Sequence, residues 1–412
     1  MTTKKLKPYL KYKDSGVSWI GMVPQGWEVV RGKNLYNKVN RTINDKDEVI
    51  TCFRDGVVTL RKNRRTTGFT ESIKEIGYQG IRVGDLVIHA MDAFAGAIGV
   101  SDSNGKGTPV YNVCEARMYN INNYYYAYLL REMARIGYIQ SLYKGIRERT
   151  SEFRFDVFAE QYYPLPPRPE QDAIVAYLDD KTAKIDRLIG LYKREIELLK
   201  ERRQAVIHQA VTRGLDDKVK LKDSGVSWIG MVPVGWEVLP LKRFCFMKAG
   251  VNLVSTDINP NVGEYKVYGG NGLRGYYNNY NIDGDYLLVG RQGALCGNVH
   301  RVIGRIWATE HAVITRVNHK NNIGYVYYML IAMNLNQYSN DTAAQPGLAV
   351  NVVLNLKTAL PPRSEQDDIV AYLDDQCAKV DAMIGKVQSK IGLLEEYRVR
   401  LISDVVTGKV RV

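Results

Sequence analysis

KYKDSGVSWIGMVPQGWEV, from Lys11 to Val29, returns as KLKDSGVSWIGMVPVGWEV from Lys220 to Val238, with 17 of 19 positions identical. A second pair behaves the same way: LPPRPEQDAIVAYLDDKTAKID from Leu165 to Asp186 returns as LPPRSEQDDIVAYLDDQCAKVD from Leu360 to Asp381. The sequence between these blocks differs widely, so one repeated frame holds two unlike inserts, and the repeat decides the architecture before any local reading. The blocks divide the chain into a first segment (1–29), an insert (30–164), a helical block (165–214), the returning segment (215–238), a second insert (239–359) and a second helical block (360–412).

Each LPP motif opens a helix. Pro166, Pro167 and Pro169 precede or flank Glu170, and Pro361 and Pro362 precede Glu365, so prolines sit at the start and an acidic residue fills the first turn. Leu178, Ile185, Tyr192, Leu199 and Val206 then recur every seven residues, with Ile189 and Ile196 at the alternate position. Leu373, Val380, Val387, Leu394 and Leu401 repeat the seam, joined by Ile384, Ile391 and Val405. A sustained seven-residue apolar period predicts a coiled coil. Residues 170–214 make a rod of about 67 Å at about 1.5 Å per residue, the span of about two turns of B-DNA at roughly 34 Å each.

Connectivity sets the direction. The first helix leaves the first insert, the second leaves the second insert, and burying both seams requires them to run antiparallel. The second helix's last turns, Leu401 to Thr407, are then positioned to supply the first W-I-G-M-V-P block with the neighbour that the end of the first helix gives the second block. Arg203 and Arg398 hold equivalent alternate positions and either fix register by pairing with Glu197, Glu201 or Glu396, or snorkel off the rim.

The inserts share a skeleton. GDLVIHAMDAFAGAIG from Gly84 parallels GDYLLVGRQGALCGNV from Gly284, and Tyr125, Tyr128 and Leu130 match Tyr325, Tyr328 and Leu330 within a predicted helix. Short alternating strands bounded by Gly, Asn and Asp fill the rest. The expected class is α+β: two mixed α/β globular domains joined by two long antiparallel coiled-coil helices, as an internal repeat with a pseudo-twofold.

Composition narrows the function. The apolar fraction of 45% and charged fraction of 25% suit a globular protein. No apolar run approaches the roughly 20 residues of a membrane span, and the first residues lack a signal peptide's apolar stretch, so no membrane partner and a cytoplasmic location are expected. Five cysteines without C-x-x-C spacing predict buried free thiols, and His300 and His311 lack partners at metal-ligand spacing, so neither a disulfide frame nor a metal site is expected. The net charge of +13 sits mainly in the inserts, each +5, while the helical blocks are nearly neutral. A polyanion meeting the inserts is one inference, because phosphate neutralisation supplies most sequence-independent affinity for DNA; a merely basic surface is the other.

The sequence has no phosphate-binding G-x-x-x-x-G-K-[ST] loop, G-x-S-x-G elbow, H-E-x-x-H helix, or Asn-Pro-Pro-Tyr or Asp-Pro-Pro-Tyr pocket for a flipped adenine. YGGNG, at 268 to 272, reads as a tight loop rather than a dinucleotide site. Recognition chemistry is plentiful instead. Arg61, Lys62, Asn63, Arg64 and Arg65 cluster in the first insert, and Asn271, Arg274, Tyr276, Tyr277, Arg291, Gln292 and Asn298 supply the same vocabulary in the second. Arginine reads guanine bidentately, asparagine and glutamine read adenine, and lysine mostly holds phosphate. Trp19, Pro24 and Trp27, like Trp228, Pro233 and Trp236, are expected to plug the joint between insert and helix, or to face a partner protein.

These residues resemble the specificity subunit of type I restriction–modification systems, along nearly the whole chain. S-G-V-S-W-I-G-M-V-P-x-G-W, the L-P-P-R-x-E-Q-D-x-I-V-A-Y-L-D helix heads and GGNGLRGYYNNYNIDGDYLLVGRQGALCGNV carry the likeness. The resemblance implies two target-recognition domains, each reading one half of a split, asymmetric site on double-stranded DNA, with the helices fixing the gap. It implies a non-catalytic chain that recruits methyltransferase subunits using S-adenosylmethionine and restriction subunits using ATP and Mg, and itself binds no cofactor. No base-contacting residue carries over by motif. The competing readings are a self-contained DNA methyltransferase or nuclease, and a coiled-coil scaffold whose basic inserts bind acidic proteins.

Overall fold

A computed structural model describes residues 6–64, 76–142, 152–293, 296–339 and 347–412. The chain forms two compact units, residues 1–191 with 390–412, and residues 192–389. Each unit takes one insert, one copy of the Trp block, and part of both long helices.

In the first unit a hairpin of Tyr12–Asp14 and Met22–Pro24 opens the chain. Glu28–Arg31 then pairs antiparallel with Tyr162–Leu165, so the strands that lead into and out of the insert are bonded to each other. The insert holds a four-stranded antiparallel sheet in the order Tyr36–Lys38, Tyr111–Ala116, Leu86–His89, Ile98–Val100, beside a hairpin of Ile50–Cys52 and Val58–Leu60. Helix Asn123–Arg135 packs on it, its first turn capped by the Asn122 side chain, which accepts from Tyr124 N at 2.9 Å. The second unit repeats the opening hairpin as Leu221–Asp223 with Met231–Pro233, and the neck as Glu237–Pro240 with Lys357–Leu360. Its insert is larger, a six-stranded sheet in the order Cys245–Ala249, Ala312–Val317, Ile282–Gly290, Val299–Ala308, Tyr265–Gly269, Gly272–Tyr277. Helix Ile323–Ala332 is capped by Asn322, the counterpart of Asn122.

The long helices run Arg168–Arg213 and Arg363–Val406, starting slightly ahead of the expected Glu170 and Glu365. Pro169 is tolerated in the first turn because its missing N–H has no intrahelical acceptor there. Each helix stops at a glycine in the left-handed region, Gly214 (φ +75°) and Gly408 (φ +74°), where a side chain would be strained. In the first unit Leu178, Ile185 and Ile189 pack with Ile391, Leu394, Leu401 and Val405; in the second Val206 and Ile207 pack with Leu373 and Cys377. All ten predicted seam residues are buried or half-buried. Within each unit the two helical segments run antiparallel.

The register arginines do not take the expected glutamates. Arg398 bonds Asp186, Nε to Oδ1 at 2.9 Å, and Arg203 faces Asp381 at 3.5 Å. The physical reason is geometric: in an antiparallel pair the partner is set by what lies across the seam, and Glu197, Glu201 and Glu396 lie along the arginine's own helix. Each ion pair therefore takes one member from each copy of the repeat.

Two main cores result, each running from sheet through the Asn123–Arg135 or Ile323–Ala332 helix to the long helices, and a smaller cluster sits within each insert. Trp27 and Trp236 are nearly fully buried in the main cores, 1% and 2% exposed, as plugs of the joint. A buried tryptophan cut to alanine costs about 3–5 kcal/mol. All five cysteines are buried free thiols, as their spacing predicts. Among the described residues no helix is long and apolar enough to cross a membrane.

Candidate nucleic-acid interface

The inserts are carried on a clasp that occurs twice. In the first unit Trp27 Nε1 donates to Glu170 Oε2 at 3.0 Å, and Tyr9 donates its hydroxyl to Glu170 Oε1. The Tyr9 phenol is pushed above its ordinary value by burial and by that carboxylate. Gln171 beside it is fully buried: its Nε2 donates to Asn120 O (3.0 Å) and Pro166 O (2.8 Å), and its Oε1 accepts from Asn122 N (2.8 Å). Asp172 accepts from Asn122 Nδ2 and from Arg168. Its carboxyl stays below the usual range because those two hydrogen bonds outweigh the opposing effect of burial. Two turns on, Asp179 accepts from the Tyr128 hydroxyl at 2.7 Å.

The second unit repeats most of these contacts, but Lys218 stands where the first has Tyr9, and Gln366 Nε2 donates to Asn321 Oδ1 (2.9 Å) where Gln171 donates to a backbone carbonyl. Trp236 Nε1 donates to Glu365 Oε2 (2.9 Å), Gln366 accepts from Asn322 N (2.8 Å) and donates to Pro361 O (2.9 Å), Asp367 accepts from Asn322 Nδ2, and Asp374 accepts from Tyr328 (2.6 Å). The E-Q-D run of the helix head thus locks the capped helix of each insert, Asn123–Arg135 or Ile323–Ala332, to the long helix at successive positions. The far end of the other long helix closes each joint: Tyr125 donates its hydroxyl to Val406 O (2.9 Å), and Tyr325 to Val211 O (3.1 Å). Gly408 meets Pro24 and Trp27, so the end of the second helix supplies the neighbour expected for the first block.

In the first insert the predicted cluster sits at the open end of the Ile50–Leu60 hairpin, on a short 3-10 turn, Arg61–Asn63. Arg61 Nε donates to Thr51 Oγ1 at 3.4 Å and Asn63 to Thr59 Oγ1 at 2.9 Å. Lys62 is paired with Glu48, and Arg64 with Asp55 (Nη1 to Oδ1, 2.8 Å) while lying over the Phe53 ring at 4.5 Å. The Arg64 guanidinium holds the Asp55 carboxyl below the usual range. Arg65 lies outside the described residues. These exposed pairs are worth little and exchange readily for phosphate. Arg131, from helix Asn123–Arg135, packs under the hairpin turn at Gly56, where a Cβ would lie 2.5 Å from its guanidinium.

In the second insert YGGNG is a hairpin turn, as expected, between Tyr265–Gly269 and Gly272–Tyr277, with a bulge at Val267/Tyr268. Asn271 is exposed at its tip, and the Arg274 stem lies over Gly269. Gly270 packs against backbone of Arg291, Gln292 and His311, so Asn271, Arg274, Arg291 and Gln292 come together around one turn. Arg291 N–H donates to His311 O (2.9 Å), which fixes the end of the neighbouring strand. Tyr276 and Tyr277 lie further along, Tyr276 pairing through its backbone with Asn259 and Tyr277 edge-on to Trp307 at 5.3 Å. Asn298 is exposed and bonds Gly290 through its carbonyl.

Sequence reasoning missed what surrounds this turn as part of the interface. His311 Nδ1 bonds Gln292 Oε1 at 2.8 Å and its Nε2 lies 3.0 Å from Glu310 Oε1. His300 packs over Gly272, and burial pushes its imidazole below the ordinary value. His300 Nε2, Glu310 Oε2 and Thr309 Oγ1 are buried and have no hydrogen-bond partner among the described residues. The glycine run 268–272 was the only signal that something packs closely here. No group of three or more His, Cys, Asp or Glu side chains suited to a metal occurs among the described residues.

Comparison with known proteins agrees with this architecture. Residues 233–391 match the family model of the type I restriction modification DNA specificity domain. The chain is 47% identical over 131 residues to the EcoprrI type I restriction enzyme specificity subunit of Escherichia coli, 31% of this chain and 32% of that one. It is 24% identical over 430 aligned positions to the putative MjaX type I specificity subunit of Methanocaldococcus jannaschii, covering 95% of this chain and 96% of the other. The fold is shared with a chain solved in a study titled for the complex assembly and conformational transition of the type I R-M system, at TM-score 0.69, 15% identity, and 93% and 98% coverage. It is also shared with the HsdS subunit of Thermoanaerobacter tengcongensis, at TM-score 0.50, 17% identity, and 94% and 98% coverage. The family match covers residues 233–391, and the likeness to the solved chains shows a shared fold along nearly the whole length.

Proposed function

We propose that this chain is the non-catalytic DNA reader of a type I restriction–modification complex, each insert recognising one half of a bipartite, asymmetric site. The observation that carries this reading is the doubled clasp: the same Trp–Glu, Gln and Asp contacts hold two inserts that differ in sheet, loops and exposed side chains. One frame presenting two dissimilar surfaces suits a target whose halves are unrelated in sequence. Both surfaces carry exposed Arg, Lys, Asn and Gln, the side chains that hold phosphate and read base edges. The chain would recruit methyltransferase subunits that bring S-adenosylmethionine and restriction subunits that bring ATP and Mg, and it acts in the cytoplasm with its DNA.

Exchanging residues 239–359 for the matching domain of another such subunit, followed by methylome sequencing, tests the reading. One half of the methylated sequence changes and the other stays; change in both halves, or in neither, refutes independent readers. Adding one heptad to both long helices widens the gap between the halves without altering either; an unchanged gap rejects the helices as the spacer. A steep loss of duplex binding with rising salt separates the reader from a scaffold for acidic proteins.

A further inference from the structure

We propose that Gln292 is the residue with which the second insert reads an adenine, and that His311, itself held by Glu310, is the positioning residue that fixes the polarity of its amide. The assignment rests on the second insert being a DNA reader.

The primary amide of glutamine has an acceptor and a donor side by side, and adenine in the major groove shows the complementary pair, N6–H and N7. An exposed glutamine on a loop turns its amide freely, and the two ends then present opposite patterns. Gln292 is exposed but not free: its Oε1 lies 2.8 Å from His311 Nδ1, and because the Glu310 carboxylate at Nε2 can only accept, the two contacts together need a proton on each ring nitrogen, which leaves the Gln292 oxygen as the acceptor at Nδ1. Turning the amide by half a rotation would set an N–H against an N–H. The carbonyl oxygen keeps its second lone pair for adenine N6–H, and the NH₂ keeps its protons for N7. The His311 ring is in turn held on its other edge by the Glu310 carboxylate, 3.0 Å from Nε2.

The surroundings fit a base edge. Arg291 and Asn271 flank Gln292 across the Gly270 contact, and Arg274 stands on the same turn, within reach of phosphate or a neighbouring base. Backbone pairing holds the segment on both sides, Arg291 N to His311 O (2.9 Å) and Leu348 N to Arg291 O (2.8 Å), so the amide sits on a fixed platform. The buried, unpartnered Thr309 Oγ1 and Glu310 Oε2 lie in the turn that carries His311, which marks it as a place where polar atoms are kept for something other than folding.

The test uses the full chain assembled with its methyltransferase subunits and duplexes bearing the site found by methylome sequencing, altered one base pair at a time. Gln292→Ala is expected to lose about tenfold or more of its discrimination at one A·T pair, in the half-site that changes when residues 239–359 are exchanged. Discrimination at the other pairs and in the other half stays. His311→Ala weakens the same discrimination, and His311→Asn, which keeps an N–H donor near the Nδ1 position, restores it; a merely structural role would not single out one base pair. Wild-type discrimination in Gln292→Ala, or an equal loss on every duplex, overturns the assignment of Gln292. Equal behaviour of His311→Asn and His311→Ala overturns the positioning role. If the domain exchange itself leaves both halves unchanged, the reading of the insert falls and this assignment falls with it.

Discussion

Replacing Gln171 probes whether the clasp is what holds the first insert on its helix. Its side chain is fully buried and makes three hydrogen bonds, two donated to the carbonyls of Asn120 and Pro166 and one accepted from Asn122 N–H. Alanine removes all three and leaves partners inside the protein that water reaches poorly. At about 1 kcal/mol per neutral bond, with the orphaned groups adding to it, Gln171→Ala should cost about 3 kcal/mol. For a unit of this size that lowers the midpoint of thermal unfolding by about 6–12 °C. Gln171→Glu has the same shape but sets a carboxylate oxygen against two carbonyl oxygens, so it should be worse than alanine at neutral pH. Thermal denaturation of the full chain gives the size, and hydrogen exchange at Asn122 N–H gives the location, since that proton loses its acceptor in Gln171→Ala. Gln366→Ala should reproduce the effect at Asn322 in the second unit, where the bonds to Asn322 N and Pro361 O recur and the third goes to the Asn321 side chain. A loss below about 1 kcal/mol, or glutamate tolerated as well as glutamine, refutes the reasoning.

Three further outcomes are expected. His89 and His300, one in each unit, both titrate below the ordinary 6.5 because burial disfavours the imidazolium. The unfolded chain therefore binds more protons below 6.5, stability drops as pH falls from there toward the folded values, and His89→Gln or His300→Gln should flatten the dependence of thermal stability on pH below 6.5. Reversing Arg398 to Asp should cost no more than about 1 kcal/mol because the pair is partly exposed, and adding Asp186→Arg should recover most of it in a denaturant double-mutant cycle. Gly408→Ala should cost more than Gly214→Ala: both sit at positive φ, but the new Cβ would lie 2.6 Å from the Pro24 ring at one and 2.9 Å from a movable Glu365 carboxylate oxygen at the other, so equal unfolding midpoints would contradict the packing.

The frame was legible because its signals are periodic or repeated. The seven-residue spacing of Leu178 through Val206 and Leu373 through Leu401 specifies the buried seams without any long-range information, and direct repetition marks the Trp plugs. Contacts between distant residues were not legible. Gln171 was visible as part of a repeated E-Q-D run, but nothing in its spacing says that its amide reaches Asn120 and Asn122, some fifty residues earlier. Likewise the charge count around Arg61 to Arg64 could not show that Glu48 and Asp55 fold back onto Lys62 and Arg64. The neighbours of Gln292 come from three strands and a turn, and only the glycines at 269, 270 and 272 hinted at that crowding.

The necks, Glu28–Arg31 with Tyr162–Leu165 and Glu237–Pro240 with Lys357–Leu360, have an evolutionary consequence. Because each insert's two ends are hydrogen-bonded to one another, they stand about 5 Å apart whatever lies between them. Any domain whose termini meet at that spacing can be dropped in without disturbing the rest. Near-identical amino-acid sequence borders both sockets, so either insert meets the same flanks and an exchange between them leaves the frame intact.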